Sequence, residues 1–371
     1  MTTLPPSIEE RGRPRDAGRA MRIALVAPLY ESVPPKLYGG TERVVSFLTE
    51  ELVRGGHEVT LFATGDSTTS ARLIAVWDRA LRLDDRSPEA TSLHVLMLEE
   101  ICSRAKEFDI IHFHIDAIQL PIARRLGVPS VMTMHGRLDI AGLPLLYREY
   151  SDLPFVSISD AQRLPLPEAN WVATIHHGVP PHLFSVRTDP GAYLAFLGRI
   201  SPEKRADRAI EIARQSGIPL KIAAKVDRVD REYFEEEIEP LIDGSFVEFI
   251  GEVDDHEKAL FLRDALAVLF PIDWPEPFGL VMIEAMACGT PVVAFSGGSV
   301  REVIDEGLTG CVVDSVEDAV RCVQRMPQWD RARCRAVFEQ RFTAERMARD
   351  YCRVYERLAF ARARTEWSYR P

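Results

Sequence analysis

"LAVLFPIDWPEPFGLVMIEAMACGTPVVAF", residues 266–295, sets out a strand, a loop, a helix and a second strand in one stretch. Leu266–Ile272 is a continuous apolar run, as a parallel strand buried on both faces requires. Pro275 and Pro277 keep Trp274 and Glu276 out of helical conformation, so Glu276 belongs to a loop. A helix is expected from Gly279 or Leu280 to the Gly289-Thr290-Pro291 stop, after which Pro291–Phe295 forms the next strand. Two carboxylates, Glu276 and Glu284, interrupt this apolar stretch. Ionised groups are costly in such surroundings unless something binds them.

The same alternation runs outward in both directions. "RIALVAP", "EVTLFA", "DIIHFHI", "PSVMTMH" and "FVSIS" read as strands of a first series. "YLAFLGRI" (193–200) opens a second, continued by "LKIAAKV", "VEFIGEV", "LAVLFPI" and "PVVAF". Helical patterns separate them. In "TERVVSFLTEELVRGG", Thr41 is the expected N-cap, Val44, Val45, Leu48 and Leu52 the apolar stripe, and Gly55-Gly56 the stop. Alternation of this kind predicts parallel sheets with helices on both faces. "HHGVPPHLFSVRTDPGA", rich in Pro and Gly, reads as the linker between two open α/β domains. Ligands bind such sheets beyond the carboxyl ends of the strands. Gly39-Gly40, His112, His114, His135, Arg199 and Glu276 all sit at such ends, which predicts one cleft lined from both domains.

The bulk numbers exclude several classes. A chain of 371 residues can bury two cores, and a net charge of −11 argues against nucleic acid as a partner. The small basic clusters (Arg11, Arg13, Arg15, Arg19; Arg124–Arg125) read as solvated faces and make only a weak case for membrane association. Residues 1–20 lack an apolar h-region and read as a disordered tail; no apolar run reaches membrane-span length. Six scattered cysteines without a C-x-x-C pair fit reduced thiols in a cytoplasmic protein, with neither a disulfide framework nor a zinc site. His112 and His114 share a strand face as a metal pair would. With no third ligand apparent, they read as core or cleft-lining histidines.

At the helix start after Glu276, N–H groups without an intrahelical partner form an anion site, and Gly279 admits close approach of a ligand. Carboxylates such as Glu276 and Glu284 suit sugar diols, because each accepts two O–H bonds. In "GRISPEKRADRAIEIA", Ser201 is the expected N-cap and Pro202 the first helical residue. Arg199 and Lys204 would face the cleft there. Two cations at a helix N-terminus make sense if a pyrophosphate sits between them; surface pairing with Glu203 or Asp207 is the plain alternative.

Together these residues resemble the retaining GT-B glycosyltransferases of family four, from about Met21 to Tyr355. The match rests on E-x7-E (Glu276, Glu284 around "PFGL"), R-x4-K (Arg199, Lys204), the Gly39-Gly40 loop, "MHG" with His135, and "CGTPVVAFSGGSVREVI". The resemblance implies a GT-B fold. Its expected parts are a tail (1–20), an N-terminal acceptor-side Rossmann-like domain (21–185), a C-terminal nucleotide-sugar domain (186–345), and a helix returning to the first domain (346–371). It implies transfer of a hexose from a nucleotide-diphosphate sugar, UDP-glucose or a related UDP-sugar first, to a hydroxyl acceptor that the sequence does not identify. Glu284 would bind the ribose, and Glu276 with the Phe278, Gly279 and Leu280 backbone the hexose. Arg199 and Lys204 would neutralise the departing pyrophosphate. Gly39-Gly40 would approach the phosphates, His135 would face the sugar, and Val253 would lie by the base. No metal and no further cofactor are expected, since D-x-D is absent. One departure is Arg205, where relatives place glycine; it is expected to be a solvated helix residue. A dehydrogenase lacks its G-x-G-x-x-G after the first strand. A nucleotide-sugar epimerase of the same fold and a non-catalytic sugar-binding protein remain as alternatives.

Overall fold

The computed structural model describes residues 20–367, with side-chain surroundings to residue 359. The expected tail and its arginines lie outside the described residues, except for Ala20. β1 (Arg22–Val26), β2 (Glu58–Phe62), β3 (Arg72–Ile74), β4 (Ile110–Phe113), β5 (Ser130–Thr133), β6 (Phe155–Ser157) and β7 (Trp171–Thr174) form one sheet. β8 (Tyr193–Arg199), β9 (Leu220–Lys225), β10 (Val247–Gly251), β11 (Ala265–Phe270), β12 (Val292–Phe295) and β13 (Gly310–Val313) form the other. The orders are β3-β2-β1-β4-β5-β6-β7 and β10-β9-β8-β11-β12-β13, and the pairings are parallel. The order reverses at β1/β4 and at β8/β11, where a crevice opens at the strand ends. The molecule is an α/β protein of two Rossmann-like domains.

The apolar runs become the strands they predict. β11 is buried at every residue, and β1 at all but its first. The strands that sequence reading passes over, β3, β7 and β13, are edge strands of three or four residues. An edge strand has one partner and needs no two-faced apolar run, so its signal is weak.

Two chain crossings join the domains side by side. Val179 of the linker pairs with Thr343, and a Cβ on Gly178 would lie 2.2 Å from the Thr343 oxygen. From there the helix Ala344–Trp367 runs back over the first domain. Met347, Tyr351, Val354 and Tyr355 pack there with Val44, Val45 and Leu48 of the helix Gly40–Arg54. Arg331, buried, donates to the carbonyls of Arg187 (2.8 Å), Ala265 (2.7 Å) and Arg263 (2.7 Å) and so staples the linker to β11.

Two helix starts differ from expectation. The first helix begins at Gly40 with Gly39 as its N-cap, two residues before the expected Thr41 cap, and no side chain caps it. After β8, Pro202–Lys204 is a 3-10 turn, Ser201 makes no side-chain cap, and the helix proper starts only at Ala206. Lys204 therefore precedes the helix instead of riding its first turn. The cysteine expectation also fails at one pair. β13 and the helix Val316–Val323 bring the Cα atoms of Cys311 and Cys322 to 6.6 Å, and the two form a disulfide. Nothing in an eleven-residue spacing signals this pairing. No helix among the described residues is long and apolar enough to cross a membrane.

Candidate functional site

A cleft of about 760 Å³ lies between the carboxyl ends of the two sheets. Gly39, Gly40 and His135 line it from the first domain. Arg199, Lys204, Val253, Glu276, Phe278, Gly279, Leu280 and Glu284 line it from the second. The fold thus brings these sequence-predicted residues to one space, with His114, while His112 stays in the core.

The two carboxylates are buried, Glu276 at 8% and Glu284 at 5% exposure, and each has its own lysine. Lys204 Nζ reaches Glu276 Oε2 at 2.5 Å, and its ammonium lies 4.7 Å from the Trp274 ring centroid. Trp274 Nε1 donates to the same carboxylate oxygen at 3.1 Å. At the other end of the motif, Lys258 Nζ contacts Glu284 Oε1 at 2.6 Å and Asp255 at 3.0 Å. Asp255 in turn accepts from Arg43 of the first domain. Removing one partner of such a buried pair would cost about 3–5 kcal/mol. Lys258 went unnoticed in the sequence. The available signal was a lysine beside Ala259 and Leu262 on the buried face of the helix Asp255–Asp264.

Backbone packing fixes the Glu276 loop. Ser299 N–H donates to the Glu276 carbonyl (2.9 Å) and Ser299 Oγ to the Phe278 carbonyl (2.9 Å). A Cβ on Gly298 would stand 2.1 Å from the Glu276 oxygen, so "SGGS" lies flat against the loop. Gly279 is left-handed (φ 82) and caps the helix Leu280–Ala287, which has no side-chain cap and so leaves its first N–H groups for a ligand. The Phe278 ring is a core residue, edge-on to His177 at 4.9 Å, and not a sugar platform.

Arg199 stands among carboxylates: Glu203 at 2.8 Å, Asp227 and Asp230 each at 3.6 Å. Its buried Nε has no hydrogen-bond partner. Arg199 and Lys204 are therefore both charge-balanced by carboxylates. Arg205 is not the free solvated helix residue expected. It sits left-handed (φ 56) at the joint between the 3-10 turn and the helix, paired with Asp207 at 2.8 Å and Asp273 at 3.0 Å. That backbone conformation is what a glycine there serves.

His135 follows β5, and Gln162 brackets it, donating to the carbonyls of Met134 (3.0 Å) and Gly136 (2.8 Å). His114 Nδ1 lies 2.9 Å from His135 Nε2, and His177 stacks on the same ring at 5.3 Å. Burial pushes the His135 imidazole down to about 3, so it is neutral at physiological pH. His112 is a core residue; its nitrogens contact the Tyr355 hydroxyl and Thr133 Oγ1, each at 2.7 Å. Another cleft residue escaped the sequence reading. Burial pushes the Glu42 carboxyl, in the first turn of the first helix, up to about 7. Gly40 would tolerate a side chain, since its Cβ would meet only Leu280 Cδ1 at 3.6 Å. Gly39 would not, because Pro35 Cβ stands 2.7 Å away.

Two family models match the chain: glycosyl transferases group 1 over residues 185–329 and glycosyltransferase family 4 over residues 38–161. The chain is 30% identical to the GDP-mannose-dependent alpha-(1-6)-phosphatidylinositol dimannoside mannosyltransferase of Mycobacterium tuberculosis, covering 88% of this chain and 94% of that one. AviGT4, a glycosyltransferase involved in avilamycin A biosynthesis, superposes with a TM-score of 0.72 at 25% identity, over 91% of this chain and 98% of its own. Anabaena Alr3699/HepE, solved with UDP and glucose, superposes at 0.71 and 16% identity, over 91% and 100%.

Proposed function

This chain belongs to the group 1, family-four-type glycosyltransferases of GT-B fold, and we propose that its cleft transfers a hexose from a nucleotide-diphosphate sugar to a hydroxyl acceptor with retention of configuration. The observation that carries the reading is the pair of lysine-held carboxylates, Glu276 and Glu284, bracketing an uncapped helix start in one cleft with Arg199. In this scheme pyrophosphate oxygens take over Arg199 and Lys204 from their carboxylate partners. Glu276 is then released to accept hydrogen bonds from the hexose hydroxyls. Glu284, beside Lys258, accepts from the ribose diol, and the base rests by Val253. The backbone of Phe278, Gly279 and Leu280 and that of Gly39-Gly40 close on the donor from opposite domains, with His135 against the sugar.

As the bond from the anomeric carbon to the phosphate oxygen breaks, negative charge develops on the diphosphate, where Arg199 and Lys204 stabilise it without a metal. The acceptor oxygen bonds to the anomeric carbon on the same face, and its proton passes to the departing phosphate. A double displacement would need a carboxylate against the anomeric carbon; this reading gives Glu276 to the hydroxyls instead. Glu276→Gln then lowers turnover without trapping a glycosyl-enzyme. UDP-glucose is the first donor to test. GDP-mannose is the second reading, favoured by the donor named for the mycobacterial relative. The anomeric coupling constant of the product, read by NMR, tests the scheme: an α-linked product from an α-donor is expected, and a β-linked product refutes it. Epimerised sugar with no acceptor product would point to an epimerase, and a donor held without turnover to a binding protein.

A further inference from the structure

We propose that His114 is a positioning residue that fixes the ring orientation and the tautomer of His135. The inference rests on the reading of His135 as the residue facing the donor hexose. β4 and β5 are neighbours whose register pairs Phe113 with Met132, which sets His114 beside Thr133. His135 follows two positions later, on the same face. The geometry closes with His114 Nδ1 at 2.9 Å from His135 Nε2.

The direction of that bond carries the chemistry. Burial holds both imidazoles neutral, and His112, His135 and His177 around His114 add to the effect there. Two neutral imidazoles hold two N–H protons among four nitrogens, and the hydrogen bond between them uses one proton and one lone pair. The remaining nitrogens, His114 Nε2 and His135 Nδ1, are buried and have no hydrogen-bond partner in the protein. One of them must carry the second proton and the other a lone pair. If His114 donates, His135 Nδ1 bears the proton; if His135 donates, its Nδ1 is an acceptor. His114 thus decides which kind of partner His135 presents.

The surroundings leave the pair little freedom. The His112 ring packs 3.9 Å from that of His114, and its own nitrogens are occupied by Tyr355 and Thr133. His177 covers the His135 ring, and Gln162 pins the carbonyls on either side of it. A turn of the His135 ring therefore breaks its contact with His114.

Histidine-selective ¹⁵N labelling of the full chain, with long-range ¹H–¹⁵N correlation, reads the tautomer of each ring; His135→Ala identifies the His135 signals. The wild type is expected to show one tautomer at His135. His114→Leu is expected to mix or reverse it, and His114→Asn, whose amide reaches the position of Nδ1, to restore it. An unchanged His135 pattern in His114→Leu overturns the proposal. If that variant does not fold, His114→Gln replaces it. Its amide reaches towards Nε2 instead, so it should disturb His135 where His114→Asn does not, and equal patterns in the two overturn the proposal. In turnover, His114→Leu (or His114→Gln) should cost roughly tenfold to a hundredfold, the scale of a misplaced group. It should cost nothing further in a His135→Ala background. Full activity of His135→Ala would instead refute the sugar-facing role of His135, leaving the tautomer result to judge His114.

Discussion

Glu42→Gln is expected to stabilise the protein at high pH and leave it unchanged at low pH. Glu42 is 5% exposed, in the cleft wall, and its carboxyl is raised from 4.5 to about 7. Burial is the largest cause, and the neighbouring Glu31 carboxylate adds to it. Backbone hydrogen bonds and Arg82 act in the opposite sense. Between those two values the folded chain holds a proton that the unfolded chain has released. Stability attached to this group is therefore full below pH 4.5, falls as pH rises, and is lost above about 7. A shift of this size corresponds to about 3 kcal/mol at 1.36 kcal/mol per pH unit. Urea unfolding of wild type and Glu42→Gln at pH 4 and pH 8.5 measures it, with the titrating groups not coupled to Glu42 cancelling in the difference. The variant should gain about 3 kcal/mol relative to wild type between the two pH values. A difference that does not change with pH would refute the burial argument. A carboxylate retained at such a cost in a cleft is a candidate for contact with ligand.

Gly298→Ala should drive a methyl group into the Glu276 carbonyl and lower turnover by about a hundredfold. Gly244→Ala, likewise left-handed (φ 72) but with open space at its Cβ, carries the backbone strain without the clash and should leave turnover unchanged; equal activities would show that the loop is not held by the "SGGS" turn. Glu284→Ala should weaken the donor's apparent binding by about 1.5–3 kcal/mol with little change in maximal rate, read from steady-state kinetics. Transfer should survive exhaustive chelation, and loss restored by magnesium or manganese would contradict the role given to Arg199 and Lys204.

The sheets were legible because buried parallel strands write themselves as unbroken apolar runs, and the glycines and prolines around 275–291 punctuate one unit clearly. The edge strands β3, β7 and β13 are only three or four residues long, too short for their apolar residues to stand out as a run. Site residues at strand ends were legible for the same topological reason. Lys258, Gln162 and Glu42 were not, because each is defined by a partner or a burial that only the folded chain supplies. The Arg205 position shows the limit from the other side. Its departure from glycine was visible, but its physical meaning, a left-handed joint, required the backbone angle. Likewise the Cys311–Cys322 pairing depends on how β13 packs against the following helix.

The central claim is that the second domain grips a nucleotide diphosphate through Arg199 and Lys204. Calorimetric titration of UDP and GDP, each against its nucleoside, into wild type, Arg199→Ala and Lys204→Ala tests it most directly. The diphosphate of the proper base should bind wild type far more tightly than the nucleoside. Each substitution should remove about 1.5–3 kcal/mol from diphosphate binding and leave nucleoside binding nearly unchanged. Equal affinity for diphosphate and nucleoside in the wild type, or equal losses for both in the variants, would contradict it.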